Sequence, residues 1–229
     1  WIFHTVPMES EFGTDTWEDE SWRTGARNNI WSMMSFDEEL GYLYLPVGSP
    51  NNDHYGATRV GDNLFGSSLV CLDASTGKRV WHFQTNRHPL WNYDLAAPPI
   101  LLDIIVDGKP IKAVAQVTKQ AFTFVLDRIT GEPVWPIIDR PAPPSTAPGE
   151  VAAATQPVPT RPAPFDLQGV TEDDLIDFTP ELRQEALEII ARYDHGPLFS
   201  PPTLRGVINM PGGLGGSDWV GAAAHPEKG

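Results

Sequence analysis

The sequence predicts an all-β fold built from repeated units of a β-propeller, and three observations support this. Residues 72–81 (LDASTGKRVW) and 126–135 (LDRITGEPVW) repeat the pattern Leu-Asp-x-x-Thr-Gly-x-x-Val-Trp. The 229 residues include 20 Gly, 23 Pro and eight Trp, a composition typical of many turns and large packing anchors. Short strand-like runs flank the turns, and units of about 40 to 50 residues are typical of propeller blades. About three blades are expected, which is too few to close a ring.

Each repeated turn is predicted to join two strands of one antiparallel sheet. Its Asp would accept backbone N–H groups, its Gly would take a positive φ, and its Trp would wedge against a neighbouring sheet. Asp107-Gly108 is a strong signal for a two-residue hairpin. Apolar runs and β-branched residues predict strands over 42–47, 64–72, 80–84, 100–106, 112–126 and 207–210.

Residues 137–205 interrupt the strand pattern and are interpreted as an insertion within a propeller that spans 1–229. Nine of the 23 Pro lie from Pro136 to Pro164, which favours an extended surface loop without a central strand. Next, Thr179 is expected to cap a helix of about 13 residues with Pro180 at its first position. The insertion would cover the mouth of the propeller, contact a partner, or be a solvated decoration. The apolar stripe predicted to pack the helix on the propeller comprises Leu182, Ala186, Ile189 and Ile190.

Charge and cysteine content exclude several classes of protein. Asp and Glu number 30 against 16 Lys and Arg, so the net charge of −14 argues against nucleic acid or an anionic membrane surface as partner. The single Cys71 excludes an internal disulfide framework, Cys-rich metal sites and covalent c-type haem. No apolar run reaches the roughly 18 residues that a membrane span requires. The sequence is interpreted as part of a longer chain.

The sequence contains no common catalytic motif. Two places still carry polar or charged side chains that are candidates for a functional site. In the stretch HPLWNYDLAAPP, Asn92 and Asp94 lie on one side of an extended segment and could bring an amide and a carboxylate together. The alternative is a polar loop that satisfies its own backbone. Lys119 lies among apolar residues of the predicted strand 112–126, so it is either solvated or paired with an anion. Trp31 by itself is more often a core residue than a cofactor platform.

Several short segments of the sequence form a recognisable set. They are the two ten-residue repeats, the Pro-rich DRPAPPSTAPGE, NIW at 29–31, YLPVGS at 44–49, GDNLF at 61–65 and HPLWNYD at 88–94. Together they resemble the pyrroloquinoline quinone (PQQ)-dependent dehydrogenases, or quinoproteins, in particular the membrane-bound glucose, polyol and alcohol dehydrogenase branch, and the repeats are similar to that family's tryptophan-docking motifs. The resemblance implies an eight-bladed propeller around a central cofactor, of which this chain would form about three blades and the insertion.

The resemblance also implies roles for individual residues. Trp31 matches the Trp whose ring lies against the quinone, and Lys119 matches the basic residue that hydrogen-bonds the quinone oxygens. Ser49 occupies a position that is Asn in many members and gives an oxygen to calcium, with Asn51 as a neighbouring donor. In the Gly-rich run 212–221, the pair Asp218 and Trp219 resembles another cofactor-lining segment, for which a tight strand entry is the alternative.

Asn92 departs from the family pattern. The family's general base is the Asp directly after the Trp, and Asn cannot take a proton from an alcohol. Either Asp94 is the base, which the spacing favours, or the activity is altered or lost. The full Trp-Asp-x-Asp pattern resembles lanthanide-using members, so its absence favours Ca²⁺ over a lanthanide.

The activity implied by the resemblance is oxidation of an alcohol, polyol or aldose by bound PQQ. Electrons would pass to ubiquinone or a cytochrome c, in the periplasm, with attachment to the inner membrane through sequence outside these residues. Two alternatives stay open: a propeller that binds protein partners without catalysis, and a degenerate relative that binds the cofactor without turnover.

Overall fold

The computed structural model describes residues 1–24 and 27–225, in which antiparallel sheets dominate. Each strand of the two larger sheets pairs with the next strand along the chain, the arrangement expected of propeller blades. The first sheet consists of β1 Ser35–Asp37, β2 Tyr42–Pro46, β3 Ser68–Asp73 and β4 Arg79–Gln84. The second sheet consists of β5 Ile100–Val106, β6 Lys109–Val117 and β7 Thr123–Asp127.

Smaller elements follow the second sheet. Strands β8 Ile137–Pro141 and β9 Thr155–Pro159 form an antiparallel hairpin, and the two-residue strands β10 Asp194–His195 and β11 Val207–Ile208 pair in parallel. Helix α1 spans Pro180–Ile190. Short 3₁₀ turns lie at Thr14–Thr16, Glu18–Thr24 and Glu172–Asp174. In the part of the chain that is described, no helix is both long and apolar enough to cross a bilayer.

The repeated turns have the predicted chemistry. Asp73 Oδ1 accepts the N–H of Thr76 at 2.8 Å, and Asp127 Oδ1 accepts the N–H of Thr130 at 2.9 Å. Between β5 and β6, Asp107 and Gly108 have φ of 50° and 77°, the two positive values of the favoured two-residue hairpin. These local predictions are confirmed.

The Trp of one repeat docks on the turn of the next. The Trp81 ring covers Gly131, where an added Cβ would lie 2.7 Å from the ring, and Trp81 Nε1 donates to the Arg128 carbonyl at 3.2 Å. Trp1 covers Gly77 in the same way, and its Nε1 donates to the Ala74 carbonyl at 3.0 Å. The predicted wedge between neighbouring sheets is therefore confirmed, and Trp1 makes the same contact one unit earlier.

Two predicted strands have the wrong bounds. The run 112–126 is not one strand: a turn separates β6 from β7, closed by the Thr118 N–H to the Phe122 carbonyl at 2.9 Å. Lys119 therefore lies in a turn and not in a strand. The run 64–72 becomes a strand only at Ser68, because the Leu64 carbonyl accepts the indole N–H of Trp17 instead of pairing with a strand.

The Pro-rich segment was expected to be a loop, and that prediction is wrong because the segment contains the hairpin β8–β9. Hydrogen bonds from Ala142 N–H to the Ala154 carbonyl and from Thr160 N–H to the Pro136 carbonyl define the hydrogen-bonded pairs. Since these pairs alternate along an antiparallel ladder, the prolines of the two strands fall at positions whose nitrogen needs no partner. Those prolines are Pro141, Pro157 and Pro159.

A buried hydrogen bond between His88 and Glu150 ties this segment to the loops of the first sheet. His88 and Glu150 have side chains only 2% exposed, and Nε2 lies 2.7 Å from Oε1. The other imidazole nitrogen lies 2.7 Å from the Gly61 carbonyl, and Glu150 Oε2 accepts the N–H of Gly56. Burial raises the pKa of Glu150, but the His88 and Gly56 hydrogen bonds outweigh it and hold the pKa below its ordinary value.

Helix α1 starts as predicted but packs less than predicted. Thr179 Oγ1 accepts the N–H of Leu182 at 3.3 Å, with Pro180 at the first helical position. The helix has 11 residues, and Ile190 is its one buried residue. Leu182 and Ile189 are 40% and 45% exposed, so Ile190 is the one residue of the expected stripe that is buried.

A three-residue charge cluster joins the two larger sheets. Arg128, 9% exposed, donates from Nε to Asp37 Oδ2 at 2.7 Å and from Nη1 to Asp103 Oδ1 at 2.8 Å. The Arg128 carbonyl accepts the hydroxyl of Tyr44 at 2.9 Å. Arg128 follows β7, whereas Asp37 ends β1, so this contact spans both sheets.

Acid should weaken the fold through His82, which lies between the rings of Phe12 and Phe65 at centroid distances of 5.5 and 5.2 Å. Burial and the charge of Arg79 lower the pKa of His82 to about 4. The unfolded chain binds this proton near pH 6.5, so stability present above pH 6.5 should be lost as the pH falls towards 4. Allowing for partial exposure, we expect a loss of about 1–2 kcal/mol.

Denaturant unfolding between pH 4.5 and 7.5 measures this effect. His82→Gln should flatten the pH dependence, whereas His54→Gln, at an exposed position, should not. Equal slopes in wild type and the His82 variant would contradict the assignment.

Candidate functional site

A cavity of about 700 Å³ opens beside the first sheet, a volume in the range of small-molecule and cofactor sites. Four residues predicted from the sequence line it: Trp31, Ser49, Asn51 and Asp94. Asp53 lines it as well and was not predicted. The structure thus brings together residues from three separate segments of the chain.

Lys119, in the β6–β7 turn, contacts Asp94, which lines the cavity. Its side chain is 5% exposed, and Nζ donates to Asn92 Oδ1 at 2.9 Å, to the Asn92 carbonyl at 3.1 Å and to Asp94 Oδ2 at 3.2 Å. Nζ also lies 5.7 Å from the centroid of the Trp31 ring. Of the two alternatives for this lysine, the structure shows the paired one, which offsets the cost of burying its charge.

Asn92 and Asp94 come together at Lys119 Nζ, as predicted, but not through an extended segment, because Asn92 takes a φ of 57°. Each of the two side chains has a second partner. Asp94 Oδ1 accepts the N–H of Ser49. Asn92 Nδ2 donates to Asp53 Oδ2 at 2.6 Å. The segment therefore does not satisfy its own backbone as an isolated polar loop; it connects to two other loops.

Gly48 makes room for the Asp94 carboxylate. A Cβ at this position would lie 2.7 Å from Asp94 Oδ1 and 3.0 Å from Asn29 Oδ1. Any side chain here would push the carboxylate away from Ser49 and Lys119. The site therefore requires Gly at position 48. The sequence motif YLPVGS contains this Gly but does not show why it is needed.

The structure does not bring Asp218 and Trp219 to this cavity. Asp218 Oδ1 accepts the N–H of Trp219 at 2.7 Å, a local contact, and the Trp219 side chain is 62% exposed. The middle of the same Gly-rich run does support the site, because the Gly216 N–H donates to the Lys119 carbonyl at 2.9 Å.

The predicted metal donors are close to the cavity but already engaged. Ser49 Oγ lies 3.1 Å from Ser67 Oγ, and Asn51 Oδ1 accepts the Arg27 N–H at 2.6 Å. Within residues 1–24 and 27–225, no three His, Cys, Asp or Glu side chains form a metal-binding group. Since Ca²⁺ takes six to eight oxygens, these residues offer at most part of a calcium site.

A planar polar cofactor fits the cavity. The Trp31 ring is 45% exposed at its wall and presents a stacking surface. The Asn28 side-chain oxygen is buried there and has no hydrogen-bond partner among the described residues. Arg27 on the wall and Lys119 beside it provide positive charge for acidic groups.

Comparison with known proteins identifies the family. The sequence model of the PQQ glucose/ethanol/alcohol dehydrogenase β-propeller domain matches residues 1–229. This chain belongs to the PQQ-dependent dehydrogenase family. The expected family and the partial propeller are both confirmed.

Relatives of this PQQ-dependent dehydrogenase chain cover most of its length. It is 35% identical over 205 residues to the glycerol dehydrogenase large subunit of Gluconobacter oxydans (strain 621H), covering 88% of this chain and 28% of that protein. It is 34% identical over 218 residues to the quinoprotein glucose dehydrogenase of Escherichia coli (strain K12), covering 92% and 26%. The chain thus spans about a quarter of the length of these relatives.

Solved structures agree with the fold. The chain matches the quinohemoprotein alcohol dehydrogenase from Comamonas testosteroni with a TM-score of 0.51 and 32% identity, over 65% of this chain and 22% of that one. A europium-containing methanol dehydrogenase matches with a TM-score of 0.59 over 95% of this chain and 31% of that one. At 23% identity, the second match supports the fold alone.

Proposed function

We propose that this chain forms the cofactor-facing part of a PQQ-dependent dehydrogenase that oxidises a hydroxyl group of an alcohol, polyol or sugar. The observation that carries the proposal is the exposed Trp31 ring with the Lys119 ammonium 5.7 Å from its centroid, beside a cavity that also contains carboxylates. Relatives named as glycerol, glucose and quinate/shikimate dehydrogenases support hydroxyl oxidation.

Each site residue would have its own role. Trp31 would stack on one face of the cofactor. Lys119 would bind oxygen atoms of the cofactor, and Asn92 and Asp94 would hold the Lys119 ammonium in place. Bound PQQ supplies a two-electron acceptor for the substrate. A cavity carboxylate, Asp94 or Asp53, takes the proton of the substrate hydroxyl, because oxidation to a carbonyl releases that proton.

The metal and the electron acceptor are also part of this proposal. Ca²⁺ would take oxygens from Ser49 and Asn51 together with ligands outside this chain, and the neutral amide of Asn92 disfavours a more highly charged lanthanide. Electrons would leave to ubiquinone or a cytochrome c. The net charge of −14 suits a cationic cytochrome, and the names of two relatives specify a quinone. A periplasmic location, with membrane attachment through sequence outside this chain, would match either acceptor.

Titration of the full-length protein with PQQ and Ca²⁺, followed by dye reduction over a panel of sugars and alcohols, tests the function. Trp31→Ala should weaken PQQ binding about tenfold, the loss expected when an aromatic stacking surface is removed. Trp219→Ala, at an exposed Trp outside the cavity, is the matched control and should bind PQQ normally.

Three outcomes separate the alternatives. Failure of the wild type to bind PQQ would support a non-catalytic scaffold, and binding without dye reduction would support a degenerate relative. Equal losses of affinity in the two Trp variants would remove Trp31 from the cofactor site.

A further inference from the structure

Two segments of the chain carry the carboxylates of the cavity, and the segments contact each other. The first, residues 51–59, contains Asp53, and the second, residues 87–94, contains Asp94; both carboxylates line the cavity. Asn92 of the second segment donates from Nδ2 to Asp53 Oδ2 at 2.6 Å. This contact joins two side chains, so the distance between the two backbones must be fixed by other groups.

Arg59 links the backbones of these two segments from inside the protein. It is only 1% exposed, and its Nη2 donates to the carbonyls of Asn52, at 2.9 Å, and of Pro89. Burial lowers the pKa of Arg59 to about 10, and the charges of Glu150 and Asp53 oppose that shift. Nearby carboxylates therefore offset part of the cost of burying this cation.

Glu150, in the loop of hairpin β8–β9, joins the same two segments at another point. Its Oε1 lies 2.7 Å from His88 Nε2, and its Oε2 accepts the N–H of Gly56. The fit is close, because a Cβ at Gly56 would lie 2.5 Å from His88 Nε2. Beside it, the Tyr55 hydroxyl donates to the Pro148 carbonyl at 2.6 Å. A side chain that belongs to neither segment thus holds both.

The hairpin that carries Glu150 is itself anchored to the second segment. Gln156 of β9 is fully buried, accepts the Arg87 N–H at 2.8 Å and donates to the Arg87 carbonyl at 2.7 Å. Val158 of β9 packs in the same buried cluster as Trp91. The Glu150 carboxylate is therefore presented to the two segments from a fixed support.

We propose that hairpin β8–β9 holds the two cavity segments in place and that Glu150 is a positioning residue of the cofactor site. By hydrogen bonding to both segments and by stabilising the Arg59 cation between them, Glu150 sets the separation at which Asn92 contacts Asp53. The hairpin acts on the site through buried side chains, not as a cover over the mouth or a surface for a partner. This role rests on the proposed function, since the site that is positioned is the one proposed for PQQ.

Amide hydrogen exchange of the full-length protein without PQQ tests the contact itself. In Glu150→Ala, residues 51–59 and 87–94 should exchange about tenfold faster than in the wild type, because both segments lose a buried hydrogen-bond partner. Strands β2 and β3 should keep their wild-type exchange, since the loosening is local. Gly56→Ala, which separates the same groups from the other side, should give the same pattern.

PQQ affinity, measured by tryptophan fluorescence, tests whether this contact serves the cofactor site. Glu150→Ala should weaken PQQ binding about 10–100-fold, the usual loss when a partner that orients binding residues is removed. Glu150→Gln, which keeps an oxygen for the Gly56 N–H but not the charge, should recover part of the affinity. It also gives a second measurement if Glu150→Ala does not fold.

Two control variants separate positioning from general stability and from lost charge. Val125→Ala, in a buried cluster that does not contain Trp91, should lower the Tm and bind PQQ normally. Glu132→Ala removes an exposed carboxylate and should change neither exchange nor affinity.

Each contrary outcome counts against a specific claim. Wild-type exchange of both segments in Glu150→Ala overturns the proposal, and so does faster exchange with unchanged PQQ affinity. Equal losses of PQQ affinity in Glu150→Ala and Val125→Ala would reduce Glu150 to a general stabilising residue and also overturn it. A wild type that binds no PQQ overturns the proposed function and the role in a cofactor site, whereas faster exchange in Glu150→Ala would still show that the hairpin holds the segments.

Discussion

Replacing Arg128 by Met in the full-length protein should lower the free energy of unfolding by about 3–5 kcal/mol, the usual cost of removing one partner from a buried ion pair. Asp37, with a side chain only 5% exposed, would lose the guanidinium that lies 2.7 Å away. The guanidinium's hydrogen bond to the Leu102 carbonyl, 3.1 Å long, would be lost as well. Both consequences fall at the contact between the two larger sheets.

Urea or guanidinium unfolding gives this value, and Arg140→Met at an exposed position is the control. Adding Asp37→Asn to the Arg128 variant should recover part of the loss, since the uncompensated charge is then removed. Similar stabilities for the Arg128 and Arg140 variants would show that the cluster contributes little.

Replacing Lys119 by Met should have the largest effect on the site: PQQ affinity should fall about 100-fold or more, and dye reduction should fall below detection. An ammonium hydrogen-bonded to acceptor oxygens in a buried site makes strong charge-assisted contacts, and its removal also leaves Asp94 without its cation. The apolar side chain of Met fills a similar volume, so the loss would report charge more than packing.

Lys78→Met, at an exposed turn position, is the control for this variant. Fluorescence titration with PQQ and dye reduction at saturating PQQ should separate lost binding from lost turnover. Normal PQQ binding by the Lys119 variant would contradict the role of Lys119 in the cofactor site.

Local chemistry explains which parts of the fold could be predicted from the sequence. The turns at Asp73, Asp127 and Asp107-Gly108 follow from side chains that bond their own backbone or tolerate positive φ. The turn that carries Lys119 has neither Gly nor Pro: Ala121 takes a φ of 62°, and the Thr118 backbone closes the turn. Nothing in the residue types there marks a break, so the sequence predicts one strand where the structure has two.

The site was predictable only where a motif pointed to it. Asn92 and Lys119 lie 27 residues apart, and the family resemblance assigns each of them to the site without predicting the hydrogen bond between them. Asp53 lies 39 residues from its partner Asn92 in a polar loop of ordinary composition, and only tertiary structure brings the two together. Similarly, the number of prolines argues against strands at 137–159. The prolines are spaced, however, so that their nitrogens fall at positions that need no hydrogen-bond partner, and this permits the hairpin.

The docking of each Trp on the following turn has a consequence for synthesis. Trp81 belongs to the first sheet, but Gly131 and the Arg128 carbonyl that receive it come from residues translated about 50 positions later. During synthesis the Trp81 indole therefore lacks these contacts until residues 128–131 have been made. The first sheet is completed only when the turn of the next repeat is available to cover it.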